Sequence, residues 1–209
     1  MEVTSKRRMS EAGQKVATRL LYILKNEFVA ALEDIIMLLP RYQANLKTMK
    51  DNGYEIVGYA RKSIGEKDDM KRVRLLNLMI KKLKTRSLVD KVFVSPKSSA
   101  GDPFDKRDEK KQVELMSVIN SDGDTQDMLK YINDKDKKIV LVAIDFAGLT
   151  TNCQGLKSFL SIYSNSKEVA IDYISSKNEV KMYTSGELLN DEKKVKEFEC
   201  RKSIIQRSN

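Results

Sequence analysis

Ile139-Val140-Leu141-Val142-Ala143-Ile144 is an unbroken apolar run of strand length, entered from Lys138 and left at Asp145. A strand that is apolar on both sides must be covered on both faces, which is the condition of a central strand in a parallel sheet. Around this run the chain alternates between strand-like and helix-like patterns. Upstream, Glu55 to Ala60 and Lys91 to Val94 read as strands. Between them, Asp68 to Arg86 carries Val73, Leu75, Leu76, Met79, Ile80 and Leu83 at helical spacing. A polar stretch from Ser95 to Asp108 follows, then helical segments at Gln112 to Ile119 and Thr125 to Asn133, with Asp122-Gly123-Asp124 as a turn between them. Downstream, Gln154 to Tyr163 reads as a helix, Glu168 to Ile174 and Val180 to Thr184 as strands, and Glu187 to Arg207 as a long, charge-rich helix. The alternation predicts an α/β fold, a mostly parallel, doubly wound sheet with helices on both faces. Chemistry in such sheets collects beyond the carboxyl ends of the strands. Three segments fall there: Arg61-Lys62-Ser63, Ser95-Pro96-Lys97-Ser98-Ser99 and Asp145-Phe146-Ala147-Gly148.

Ahead of the sheet, Val16, Leu20, Leu21, Leu24 and Phe28, then Leu32, Ile35, Ile36 and Leu39, recur at helical spacing. This predicts helix over residues 10–50. Pro40 is expected to end or kink it, Tyr42 to Met49 to add one short helix, and Asn52-Gly53 to stop the block. The predicted organisation is a helical N-terminal extension over 1–52, an α/β domain over 53–186 and a C-terminal helix over 187–209.

Composition narrows the function. A chain of 209 residues with 41% hydrophobic and 33% charged residues can bury a core, and no apolar run approaches the length that spans a bilayer. The expectation is a soluble intracellular protein, cytoplasmic or nuclear, with no membrane partner and no secretory signal. Cys153 and Cys200 make no disulfide framework and suit a reducing compartment. The net charge of +9 favours polyanions, because neutralised phosphates release counterions. Histidine is absent, which excludes Ser-His-Asp triads and imidazole-based metal sites.

Ser63 follows the first strand of the sheet beside Arg61 and Lys62. A hydroxyl is a weak nucleophile at neutral pH; nearby guanidinium groups favour its alkoxide and pair with phosphate oxygens. In an extended segment Arg61 and Ser63 leave the same face. Spacing alone also permits a simpler reading, in which Ser63 and Glu66 form a capping box opening the next helix.

Gly58-Tyr59-Ala60-Arg61-Lys62-Ser63 resembles the signature of the resolvase/invertase serine recombinases, whose Tyr-x-Arg-x-Ser holds the nucleophile. Leu46 to Lys50 and Gly53 to Val57 resemble the junction in transposon-type members that place a helical region ahead of the catalytic domain. The resemblance covers about residues 53–207 and implies a resolvase-like, flavodoxin-like sheet. It makes Ser63 the nucleophile, with Arg61 and Arg107 holding the phosphate and Lys106 as the competitor for the second place. Asp145 would organise neighbouring arginines. Where the family carries Asp-Arg-x-x-Arg, this chain reads Asp145-Phe146-Ala147-Gly148-Leu149, with both arginine positions apolar. Guanidinium groups there would supply much of the charge stabilisation in phosphoryl transfer, and one such contact is worth about 3 kcal/mol. Glu197 to Arg207 resembles the start of the family's long helix, which pairs subunits and approaches DNA.

The resemblance implies a site-specific recombinase that cuts DNA through a phosphoserine link and needs no metal or nucleotide cofactor. The two altered arginines favour a second reading, a binding module that keeps the fold without cutting. A third is an unrelated flavodoxin-like phosphotransfer or regulatory domain. The expected partners are double-stranded DNA and further copies of the chain, as a homodimer or higher homo-oligomer. Lys62, Lys97, Arg201 and Arg207 are the expected DNA contacts. Lys81, Lys82, Lys84 and Arg86 read as a solvated helix face, Asp68-Asp69 as helix-start acids rather than a metal pair, and the cysteines as ordinary thiols.

Overall fold

The computed structural model describes residues 2–4, 21–23, 26–133, 136, 138–173 and 179–200. The chain divides into two units, Met1–Pro40 and Arg41–Asn209.

In the first unit, β1 (Glu2–Thr4) pairs antiparallel with β2 (Leu21–Ile23), Val3 opposite Tyr22. Helix α1 (Asn26–Asp51) then runs through the unit boundary. This corrects the helix expected from residue 10: Leu21 is in a strand, and the helix starts at Asn26, while Val16, Leu20 and Leu24 lie outside the described residues. Apolar spacing alone did not register the antiparallel partner that Glu2–Thr4 supplies to Leu21–Ile23. Pro40 does not end the helix either. It removes the N–H that would bond the Ile36 carbonyl, and both residues are exposed, so the loss falls on a solvent-facing stretch.

The second unit begins within α1, where Tyr42, Leu46 and Met49 are buried at helical spacing. The helix stops at Asn52-Gly53, Gly53 holding φ at +82°, where a side chain would be strained. The remaining elements follow in order. They are β3 (Tyr54–Arg61), α2 (Asp69–Arg86), β4 (Lys91–Ser95), α3 (Val113–Ser117), α4 (Thr125–Ile132), β5 (Lys138–Ala143), α5 (Phe146–Leu149), α6 (Cys153–Ile162), β6 (Ser166–Asp172), β7 (Val180–Thr184), α7 (Ser185–Asn190) and α8 (Glu192–Lys196).

The sheet order is β4-β3-β5-β6-β7, with β7 antiparallel to β6 and the other pairings parallel. In chain order this is 2-1-3-4-5, the flavodoxin-like arrangement with its last strand reversed. The apolar run sits at the centre as β5, and Ile139 to Ala143 are fully buried. Side chains alternate between faces along each strand. Val57 and Tyr59 of β3 join Leu141 of β5, Met128 and Ile132 of α4, and Phe159 of α6 in one core. On the other face, a Cβ placed on Gly58 would lie 3.2 Å from Leu83 of α2, so the bare backbone of β3 admits that helix closely. Helices therefore cover both faces.

The long C-terminal helix is also corrected. Residues 185–196 form two short helices, because Asp191 ends α7 and caps α8 with its carboxylate. Glu197 and Phe198 then turn out of the helix, with Phe198 fully buried. Arg201 and Arg207 lie outside the described residues. No helix among the described residues is long and apolar enough to cross a membrane.

Candidate functional site

The connections from β3 and β5 diverge at the carboxyl edge of the sheet, so the segments after β3, β4 and β5 meet at the topological switch point. Pairing continues past the strands: the Lys62 N–H donates to the Ser95 carbonyl at 2.9 Å, and the Ser98 N–H donates to the Lys62 carbonyl at 3.3 Å. Ser63 comes next and is exposed. Its hydroxyl makes no hydrogen bond among the described residues. Nor does it cap α2. Asp68 takes that place, accepting from the Lys71 N–H at 3.1 Å, because it directly precedes the helix and its carboxylate favours the positive helix start, whereas Ser63 lies further back along the chain.

The expected phosphate-binding arginines are buried among carbonyl oxygens. Arg61, 8% exposed, donates Nη2 to the Ala147 carbonyl at 2.7 Å, Nε to the same oxygen at 3.2 Å, and Nη1 to the Ser98 carbonyl. It ties the loop after β4 to α5. Arg107, 1% exposed, donates to the carbonyls of Leu149 at 2.7 Å, Asp102 at 2.8 Å and Ala100 at 3.2 Å, and to the Tyr59 hydroxyl at 3.1 Å. Its guanidinium also lies 4.5 Å from the centre of the Phe104 ring. Lys106, the competitor for its role, is exposed and pairs with Glu109 at 3.3 Å.

Sequence reasoning missed a third arginine. Arg72 is 1% exposed and donates to the carbonyls of Pro96 at 2.6 Å and Ser63 at 2.8 Å, to the Glu66 carbonyl, and to Asp69 at 3.1 Å. It holds the Ser63 loop in place from α2. The available signal was its position: Arg72, Leu76, Ile80 and Leu83 form the buried stripe of the helix, and a charge in such a stripe must be paired.

Three of the ammonium groups near this loop face carboxylates. Lys97 lies 3.0 Å from Asp69, and Lys71 and Lys62 lie 3.6 and 4.0 Å from Glu66. Asp145 accepts from the Gly148 N–H within its own turn, capping α5. Phe146 and Leu149 point into the core. Phe146 stacks edge-on against Phe198 at 4.7 Å and packs on Tyr173 at 5.4 Å, and Leu149 is fully buried. These positions are core positions here, closed to solvent.

Behind the loop runs a buried polar chain that the sequence did not reveal. The Tyr59 hydroxyl lies 3.0 Å from that of Thr125, which donates to Asp108 at 2.5 Å; Ser95 donates to the other Asp108 oxygen at 3.1 Å, and its hydroxyl oxygen lies 2.7 Å from that of Ser98. Burial raises the Asp108 pKa above the ordinary 3.8, against the hydrogen bonds from Thr125 and Ser95 that hold it down. A carboxyl with a raised folded-state pKa contributes stability that is complete in acid and lost as pH rises through the raised value. Asp108→Asn, which keeps an acceptor, is therefore expected to flatten the fall in stability from acid to neutral pH. Urea midpoints against pH for the two proteins provide the check, and parallel curves would contradict it.

Among the described residues no three acidic or cysteine side chains are grouped to hold a metal. Burial pushes the Cys153 thiol up to about 11, the behaviour of an inert thiol. The site thus offers an exposed hydroxyl on a braced loop, flanked by lysines, with its guanidinium groups committed to the backbone. Comparison of the chain with family models, curated proteins and solved structures returned no match.

Proposed function

We propose that this chain is a serine-recombinase-like module that binds duplex DNA without cutting it. The observation that carries this reading is the use of its arginines. Arg61 and Arg107, which the resemblance assigns to the phosphate, spend their donors on carbonyl oxygens, and Phe146 and Leu149 fill the core where the family carries two more. Two missing guanidinium contacts amount to roughly four orders of magnitude in rate. The strand order and the Tyr59 to Ser63 motif support the resolvase-like part of the reading, and the net charge of +9 supports the DNA part.

Anisotropy of a labelled duplex across a salt series tests the binding. The expected result is saturable binding whose log affinity falls linearly with log salt, by about 0.9 per phosphate neutralised. Absent or salt-insensitive binding sinks the DNA reading. Self-association belongs to the same proposal; sedimentation over a concentration series is expected to show a dimer or larger species, and a monomer throughout would oppose it.

One observation favours the active-enzyme reading: Ser63 is exposed at a strand's carboxyl end with its hydroxyl unengaged among the described residues. Covalent trapping on nicked duplex DNA separates the two.

A further inference from the structure

Beyond the exposed Lys67 of the Ser63 loop, a second group of cations has no side-chain partner among the described residues. Arg74, Lys81 and Lys82 are exposed along α2 on the side away from its buried stripe of Arg72, Leu76, Ile80 and Leu83, and Lys84 is exposed at the edge of that stripe. Among the described residues none of the four has an ion pair or hydrogen bond through its side chain. The only acidic residue within α2 is Asp69, at the far end and already bound to Arg72 and Lys97. A fifth cation joins from α1. Gln43 donates to the Thr85 and Arg86 carbonyls at 3.0 and 3.2 Å, and Lys50 bonds the Leu88 carbonyl at 2.6 Å. Lys47 lies between them on the same side of α1, exposed and likewise without a partner, beside the C-terminal end of α2.

Unpaired like charges on one face repel each other and destabilise a fold slightly. Arg86, on the same run, is neutralised by Asp172 at 2.5 Å, yet its neighbours are not. From Arg74 to Lys84 the helix rises about 15 Å, a length that spans roughly four phosphates of one DNA strand. Spaced cations with no interleaved acid match a regular polyanion better than the mixed rim of a protein interface.

We propose that the exposed face of α2, extended by Lys47, is a phosphate-tracking surface for duplex DNA, separate from the loop that carries Ser63. It rests on the DNA-binding reading above and adds where the backbone lies.

The test compares the full chain with the triple variant Lys81→Gln/Lys82→Gln/Lys84→Gln, and with Lys62→Gln/Lys97→Gln at the Ser63 loop. Each is titrated with a labelled duplex over a salt series, and circular dichroism confirms that these surface changes leave the fold intact. The expected result is a fall of about 2.7 in the log–log salt slope for the triple variant, near 0.9 for each lost phosphate contact. A wild-type chain that binds, with a triple variant of unchanged slope, overturns this inference and leaves the DNA reading standing. A wild-type chain that does not bind overturns both. Polyaspartate competing as well as duplex at equal charge also overturns it, because the face would then recognise acidic protein equally.

Discussion

Arg107→Met is expected to lower the free energy of unfolding by about 4 kcal/mol. The guanidinium is buried and its donors satisfy the carbonyls of Ala100, Asp102 and Leu149 together with the Tyr59 hydroxyl. Methionine fills much of the volume but donates nothing. Each acceptor left buried without a partner costs about 1–3 kcal/mol, less whatever the loop recovers by relaxing toward water. Arg107→Lys is expected to recover little, since one ammonium cannot reproduce a planar fork reaching carbonyls on two loops. Urea denaturation monitored by circular dichroism measures both. A loss below about 1 kcal/mol for the methionine variant would show that this arginine is not the brace its bonds describe.

The double variant Phe146→Arg/Leu149→Arg installs the arginine pattern of the serine recombinases that the sequence resembles and is expected to destroy the fold rather than supply activity. Phe146 packs on Phe198, Tyr173 and Tyr183, and Leu149 is fully buried. Truncating a buried phenylalanine alone costs about 3–5 kcal/mol. Two unpaired guanidinium groups in that core add several more, a total comparable to the whole stability of a domain this size. Loss of the near-ultraviolet dichroism of the packed aromatics is the expected reading. A folded variant with a wild-type urea midpoint would mean that these positions face the site, and the arginines would then be absent for another reason.

These two cases mark the limit of what was legible. The sheet was readable because its strands are short apolar runs: the pattern places β5 over Ile139 to Ile144 and β7 over Val180 to Thr184, and the structure has Lys138–Ala143 and Val180–Thr184. The same patterning failed at the ends. Leu21 to Ile23 fit a helical stripe and yet pair as a strand, because a distant segment offers backbone partners. The predicted terminal helix breaks at Asp191, whose carboxylate satisfies the Lys193 and Lys194 amides and so starts a new helix.

At the site, the sequence located the neighbourhood, while the bonds its arginines make there were not legible. Arg61, Arg107 and Asp145 do gather around the ends of β3, β4 and β5, but residue type does not reveal whether a guanidinium faces a phosphate or a carbonyl. That depends on loop backbone: the carbonyls of Ser98, Ala100, Asp102, Ala147 and Leu149 all point at arginines. Asp108 and Thr125 had no signal at all, since nothing in their spacing relates two residues joined only by the fold.

Covalent trapping on nicked duplex DNA separates binding from cleavage. Ser63 attacking a phosphodiester would leave a protein–DNA adduct that survives denaturation, and a nicked target lets the cut fragment escape so that the adduct accumulates. The wild-type chain is expected to bind this DNA, with salt dependence, and to yield no denaturation-resistant adduct. An adduct formed by the wild-type chain and lost in Ser63→Ala would contradict that expectation, and would make this loop a working active site despite its committed arginines.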